Sequence, residues 1–89
     1  MYVYTEYPCY VLYSEKDKKR YTGLTENITE RLKEHNDGMV KSTSWRRPLR
    51  MVYYEWCEDM RDAVHREKYL KTYYGKHYIK NRIRHRIEQ

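Results

Sequence analysis

The stretch that decides the fold is residues 8–24, PCYVLYSEKDKKRYTGL. Its first half alternates, which places its side chains on two faces of one strand: Cys9, Val11 and Tyr13 on one face, Tyr10 and Leu12 on the other. Residues 15–19 read as a charged turn, and a second short strand follows over residues 20–24. Because the connection is longer than two residues, the pattern predicts a β-hairpin with an open loop.

The residues that follow predict one helix and a basic loop. Asn27 can cap the helix, with Glu30 three residues later in a capping-box arrangement. Residues 36–38, Asn-Asp-Gly, supply the stop, and a basic loop runs from Lys41 to Arg50. The first helix therefore fills most of the interval between the hairpin and this loop.

A third strand and two further helices complete the predicted order. Arg50 to Cys57 is apolar or aromatic on both faces, which favours a central strand. Asp59 can cap a helix to about Tyr73, and a basic helix after Gly75 carries isoleucines spaced four apart. The order β-β-α-β-α-α predicts an α/β (α+β) fold: a small three-stranded antiparallel sheet flanked by helices.

Size and composition indicate one domain over residues 1–89, with a core at about 8–82. The chain shows no linker-like or repetitive segment, and its apolar stretches are too short to span a bilayer. Met1 to Tyr7 lacks the features of a secretory signal and is expected to be an extra edge strand or a loose arm. We expect a soluble, cytoplasmic protein without membrane partners.

The charge balance indicates a polyanionic partner. Lys and Arg number 19 and Asp and Glu 13, so the net charge is 19 − 13 = +6. Such a chain attracts polyanions, of which nucleic acid is the commonest in a cell. Cys9 and Cys57 form no CxxC pair, so the sequence predicts two free thiols and no structural zinc site.

Glu67 is the sharpest functional signal. At about 100° per residue it falls in the middle of an apolar helical stripe formed by Met60, Ala63, Val64, Leu70 and Tyr74. A carboxylate there is costly unless it is paired, neutralised or bound to a metal. The alternative is a glutamate at the rim of the stripe that reaches water or pairs with an arginine.

Two more pairs of residues suggest chemistry. Arg31 and His35 lie one turn apart on the first helix, where Arg31 is expected to face an anion, either a carboxylate such as Glu67 or a phosphate. His35 alone would be read as a core histidine. Tyr10 and Tyr21 lie on the two strands of the hairpin, where their rings could meet across one face, as packed aromatics often do.

These features occur together in a known pattern. Tyr21-Thr22-Gly23 stands as the second half of a two-part hairpin signature, with Pro8-Cys9-Tyr10 as a degenerate first half, and the two tyrosines are 21 − 10 = 11 positions apart. Downstream come TENITERLKEHN over residues 25–36 and REKYLK over residues 66–71. In this ordered set the chain resembles the GIY-YIG nucleases over about residues 8–82. It is most similar to stand-alone, single-domain members related to the nuclease module of the bacterial excision-repair endonuclease.

The resemblance implies a metal-dependent endonuclease that hydrolyses DNA and is linked to DNA repair. Glu67 would be the sole protein ligand of Mg²⁺ or Mn²⁺, and Arg31 would hold the scissile phosphate. Tyr21 would act as general base, oriented by a hydrogen bond from Tyr10. An ordinary tyrosine has a pKa of about 10, so His35 stays open as the other possible base. Asn81 would support the site or the substrate, unless it is simply a solvent-facing residue.

Composition adds the expected nucleic-acid contacts, which combine cations, small hydroxyls and one aromatic ring. They lie in the basic loop and the last helix: Lys41, Ser42, Thr43, Trp45, Arg46, Arg47, Lys80, Arg82, Arg84 and Arg86. A chain this small has little surface for reading sequence, so we expect selectivity for DNA shape. The alternative function is a module on the same scaffold that binds DNA or RNA with little or no turnover.

Overall fold

The computed structural model describes residues 7–87, with side chains as far as His85. Its main elements follow the predicted order β-β-α-β-α-α, and a one-turn helix comes after the last of them. The strands are β1 (Tyr7–Ser14), β2 (Arg20–Leu24) and β3 (Leu49–Cys57), and the helices are α1 (Ile28–Asn36), α2 (Met60–Leu70), α3 (Tyr73–Arg82) and α4 (Arg84–Ile87). A short 3₁₀ turn, Ser44–Arg46, interrupts the basic loop. Residues 1–6, for which an edge strand or arm was expected, lie outside the described part.

The sheet is antiparallel with the strand order β2-β1-β3. The prediction that the third strand is central is wrong, because β1 holds that position and is buried from Pro8 to Ser14. Among the described strands β3 lies at an edge of the sheet, and two of its aromatic residues, Tyr54 and Trp56, stack in the open with ring centroids 5.7 Å apart. The apolar and aromatic residues on both faces of β3 therefore reflect this exposed aromatic pair. They do not indicate a strand that is buried on both faces.

The alternation of β1 divides the core into two parts, as predicted. Cys9, Val11 and Tyr13 face α2 and α3, where they pack with Val52, Leu70, Ile79 and Ile83. Tyr10 and Leu12 face the other side, where they pack with Leu49 and with side chains of α1 and β2. We call these the apolar face and the polar face of β1.

Local signals set the helix ends. The Asn27 side chain accepts a hydrogen bond from the Glu30 amide, and Gly38 turns the chain with a φ of 79° after α1. The second helix ends at Leu70, earlier than predicted, because Thr72 caps α3 by accepting from the Gly75 amide. The predicted basic helix is broken near Ile83 into α3 and α4.

Gly75 explains how α3 packs so closely on α2. A Cβ atom on Gly75 would lie 2.1 Å from the carbonyl oxygen of Tyr69 and 2.5 Å from Cα of Leu70. Only a residue without a side chain permits this approach of two backbones. Within the described part of the chain, no helix has the length and apolar character needed to cross a membrane.

Candidate active site

The polar face of β1 contains a chain of four hydrogen-bonded side chains. The Tyr10 hydroxyl lies 2.8 Å from Nε2 of His35 and 3.3 Å from Nε of Arg31. On the far side of the imidazole, Nδ1 of His35 lies 2.7 Å from Oγ1 of Thr43. Tyr10, His35 and Thr43 are all at most 1% exposed, so these bonds form away from water. The hairpin, α1 and the basic loop each supply part of this chain.

One direction of the hydrogen bonds gives every donor of the chain an acceptor. In it Thr43 donates its hydroxyl proton to the carbonyl of Val40, at 3.4 Å, and accepts from Nδ1 of His35. That leaves Nε2 unprotonated, and it accepts from the Tyr10 hydroxyl, whose oxygen accepts in turn from Arg31. Burial, reinforced by the charge of Arg31, lowers the pKa of His35 to about 4, which agrees with a neutral ring.

This arrangement separates the roles of the two predicted bases. Both ring nitrogens of His35 are bonded and the side chain is fully buried, so neither nitrogen is open to a substrate. Burial also raises the pKa of Tyr10 to about 12, so its phenol keeps its proton. Tyr21 is only partly buried, and its ring packs edge-on against His35 with centroids 5.1 Å apart. The geometry favours Tyr21 over His35 as the group that meets water.

Tyr10 contacts Tyr21 differently from the expectation. The two rings pack with centroids 6.3 Å apart, and the Tyr10 hydroxyl bonds His35 and Arg31. The predicted hydrogen bond from Tyr10 to Tyr21 is therefore replaced by ring packing, because the Tyr10 hydroxyl donates to the buried imidazole. Gly23 makes room for this phenol, because a Cβ there would lie 2.4 Å from the Tyr10 oxygen.

Arg31 has an anion beside it, and that anion is Glu34. Its Nη1 lies 3.0 Å from the Glu34 carboxylate while Nε bonds Tyr10, and the side chain stays 35% exposed. A guanidinium has five N–H donors, so these two bonds leave donors for a phosphate. Arg31 thus joins the buried hydrogen-bond chain to the surface.

Glu67 lies on α2 as a mostly buried carboxylate. Ala63 and Leu70 of its predicted stripe are buried, whereas Met60 and Tyr74 are 39% and 72% exposed, so the stripe is shorter than the sequence suggested. The carboxylate is 20% exposed and lies 3.2 Å from the Lys71 ammonium. Its charge contributes to the raised pKa of Cys9 on the apolar face and, as the smallest cause, to that of Tyr10 on the polar face.

The donor set around Glu67 fits a hard divalent cation held by one carboxylate. Within residues 7–87 no three His, Cys, Asp or Glu side chains cluster as metal ligands. Mg²⁺ keeps most of its waters and takes one or two carboxylates together with substrate oxygens. Glu67 offers one partly exposed carboxylate, paired with the Lys71 ammonium in this structure, and so meets that requirement.

The other predicted residues lie apart from the hydrogen-bond chain. Asn81 is exposed on α3, and within the described residues it has no hydrogen bond to Tyr10, His35 or Arg31. Among the predicted nucleic-acid contacts, those with exposed side chains are Lys41, Ser42, Trp45, Arg47, Lys80, Arg82 and Arg84. The side chain of Arg86 lies outside the described part.

Two predicted contacts need correction. Thr43 is fully buried and bonds His35, so it has no surface for nucleic acid. Arg46 is only 12% exposed because its Nε lies 2.6 Å from the Asp17 carboxylate. Both residues stand in a basic loop, and this position alone made them predicted substrate contacts.

The ion pair of Arg31 and Glu34 was not predicted, although their i, i+3 spacing on α1 favours it.

The fold and this site define a class of protein: a small α/β module that brings phenol, imidazole and guanidinium side chains together at one hairpin. The family model described as the GIY-YIG catalytic domain matches residues 6–84, and the chain belongs to this family.

The chain is similar to UPF0213 proteins from several bacteria. One from Clostridium perfringens is 46% identical over 57 residues, covering 63% of this chain and 61% of its own length. One from Desulfotalea psychrophila is 38% identical over 71 residues, covering 75% of this chain and 64% of its own. The chain thus spans less than two thirds of the length of these relatives. No solved structure matches the chain.

Proposed function

We propose that this protein is a metal-dependent endonuclease that hydrolyses DNA phosphodiester bonds and selects its substrate by shape. The observation that carries the proposal is the directed chain from Arg31 through Tyr10 to His35, with the partly exposed Tyr21 packed against it. These are the groups that phosphodiester hydrolysis needs, and they lie in a chain that belongs to a nuclease family.

Each side chain has a role that follows from its position. The free donors of Arg31 bind the scissile phosphate and offset the charge that grows on it. Tyr21, in its phenolate form, accepts the proton of the attacking water as the water oxygen bonds to phosphorus. The P–O bond to the leaving nucleotide breaks, and the leaving oxygen takes a proton from solvent water. Tyr10 and His35 hold Arg31 and the Tyr21 ring in position from behind. A Mg²⁺ or Mn²⁺ ion on Glu67, when bound, would supply Lewis-acid activation of the phosphate.

Selectivity for shape follows from the kind of surface on offer. Sequence is read mainly by an element placed in the major groove, and specific interfaces bury a large protein surface. The exposed cations of this chain are instead spread over the loop, α2 and α3, where they meet phosphates of any sequence. Flaps, branches and single-stranded regions are the substrates that such contacts favour.

The test compares cleavage by the wild-type chain and by Glu67→Gln. Labelled flap, branched, single-stranded and duplex DNA of one sequence, and the matching RNA, are incubated with Mg²⁺ or Mn²⁺. We expect Glu67→Gln to lose cleavage by about a thousandfold while its binding in EDTA is kept. Glu58→Gln, an exposed glutamate just before α2, is the matched control and should cleave like wild type.

Two outcomes would contradict the proposal. Cleavage by Glu67→Gln at the wild-type rate would show that the metal site is elsewhere. Binding of DNA or RNA by the wild-type chain without cleavage under any divalent ion would instead favour the alternative, a nucleic-acid-binding module on the same scaffold.

A further inference from the structure

A cleft of about 550 Å³ opens between the edge strand β2 and the helices α2 and α3. Its floor is formed by the apolar residues Val11, Leu70 and Ile79. Five cationic residues line it, from the β1–β2 turn, β2 and the two helices: Lys18, Lys19, Arg20, Lys71 and Lys76. The volume lies in the range of small-ligand sites, which are about 300–1,000 Å³.

The charge in this cleft is only partly balanced. Two of its lysines have carboxylates nearby, since Lys18 lies 3.7 Å from Glu15 and Lys71 lies 3.2 Å from Glu67. Arg20 has a buried Nη1 atom without a hydrogen-bond partner in the described structure. A buried donor without an acceptor is costly, so the cleft as a whole favours an anionic ligand. The same burial lowers the pKa of Arg20 below its ordinary value, the direction that an anion would reverse.

The cleft is continuous with the candidate active site at two residues. Tyr21 belongs to the lining, and Lys71 connects the lining to the Glu67 carboxylate. The alternation of β2 places Arg20 and Thr22 on the apolar side of the sheet and Tyr21 and Gly23 on the polar side. A ligand that crosses the edge of β2 would therefore contact both the cations and the proposed base.

We propose that this cleft binds the sugar–phosphate backbone of the nucleic-acid strand beside the bond to be cut. The proposal rests on the proposed function for the place of the cut, but binding in the cleft does not require cleavage. Lysines and arginines on the rim neutralise phosphates without reading bases. A free phosphate ion can pair with only one or two of these cations. The successive phosphates of a strand can pair with several of them at once.

The experiment measures binding of the full chain to a fluorescein-labelled single-stranded DNA in EDTA, over a range of NaCl concentrations. The test variant is the double substitution Lys19→Gln and Lys76→Gln. The control is Lys16→Gln and Lys68→Gln, two exposed lysines of the same turn and of α2 that do not line the cleft. Both variants lower the net charge from +6 to +4, so non-specific attraction falls equally.

We expect the cleft variant to bind about tenfold more weakly than the control at moderate salt, and its salt slope to be smaller by about 1.4, that is 2 × 0.7. Inorganic phosphate at millimolar concentration should displace little DNA. Equal binding by the two variants, or full displacement by phosphate, would overturn the proposal. The melting temperatures of both variants are compared with that of wild type, as the control for misfolding.

The result also separates this proposal from the proposed function. If the wild-type chain cleaves no nucleic acid but its binding depends on Lys19 and Lys76, the proposed hydrolysis is wrong and the proposed role of the cleft is supported. If it cleaves DNA while the cleft variant binds like the control, the cleft assignment alone fails.

Discussion

The polar face and the apolar face of β1 are equally buried and differ in what fills them. On the apolar face Cys9, Val11 and Tyr13 pack on Leu70 and Ile79 with no chain of side-chain hydrogen bonds between them. On the polar face Tyr10 points between α1 and the basic loop and bonds His35 and Arg31.

The difference shows how one short strand can serve both stability and chemistry. Apolar contacts tolerate small shifts, and their contribution scales with the area removed from water. A buried hydrogen-bond chain contributes little net stability, but every member must keep its partner, which fixes the geometry. We therefore expect substitutions on the apolar face to lower the free energy of unfolding, and substitutions on the polar face to lower activity.

Tyr21→Phe should produce the largest effect. Loss of the phenol is expected to lower the cleavage rate by about a thousandfold, near 4 kcal/mol, because proton transfer of this kind contributes about 10²–10⁴. The free energy of unfolding should change by less than about 1 kcal/mol, since the ring stays. Single-turnover cleavage and urea unfolding measure the two quantities.

Tyr73→Phe is the matched control for that variant, because Tyr73 is 77% exposed on α3. It should leave both quantities unchanged. A Tyr21→Phe protein that cleaves at the wild-type rate would mean that the polar face does not supply the base.

Ile83→Ala tests the apolar face. This side chain, just after α3, is 9% exposed and packs in the apolar core without lining the cleft, and its truncation is expected to cost about 3 kcal/mol through lost burial and a cavity. Cleavage by the folded fraction, measured well below the melting temperature, should stay within about twofold of wild type. A loss of activity far larger than the loss of folded protein would show that the two faces are coupled.

The third prediction concerns pH, through His35. Its pKa of about 4 in the folded protein lies below the ordinary value of 6.5, so the unfolded chain binds the proton more tightly. The stabilisation is therefore complete above pH 6.5 and is lost as the pH falls toward 4, by about 3 kcal/mol in all. Urea unfolding at a series of pH values measures this slope.

His35→Gln should be less stable at neutral pH and should show a flatter slope between pH 6.5 and 4. His65→Gln, which replaces an exposed histidine of α2, should keep the wild-type slope. An unchanged slope in His35→Gln would mean that another buried group controls the acid response.

The residues of the apolar face could be predicted from the sequence, whereas most hydrogen-bond partners on the polar face could not. Period-two alternation in residues 9–13 predicts both faces, and Asn27 and Asp59 predict where α1 and α2 begin. The partners inside the polar face depend on how a loop folds back. Thr43 is eight residues from His35 and lies in a segment without a period, so no local rule pairs them. The five-cation cleft likewise joins residues that are far apart in the chain.

Thr43→Val should give the smallest effect, and it tests the direction of the hydrogen-bond chain. Valine has nearly the shape of threonine but no acceptor for Nδ1 of His35. The imidazole can avoid an unpaired donor by moving its proton to Nε2, which then donates to Tyr10. The Tyr10 oxygen would accept from both His35 and Arg31, and its own proton would lose its acceptor. The change of tautomer therefore gives the imidazole N–H group an acceptor but leaves the Tyr10 hydroxyl proton without one. One buried donor stays unpaired in either tautomer.

We expect that variant to lose about 1 kcal/mol of unfolding free energy and about tenfold in cleavage, since one buried donor goes unpaired. Ser44→Ala, which removes only a bond to the carbonyl of Lys41, should lose neither. The ring ¹⁵N shifts of His35 distinguish the tautomers: Nδ1 carries the proton in wild type, and Nε2 carries it in Thr43→Val. The same tautomer in both proteins would show that Tyr10 and Arg31, on the substrate side, set the direction of the chain, and that Thr43 only follows it.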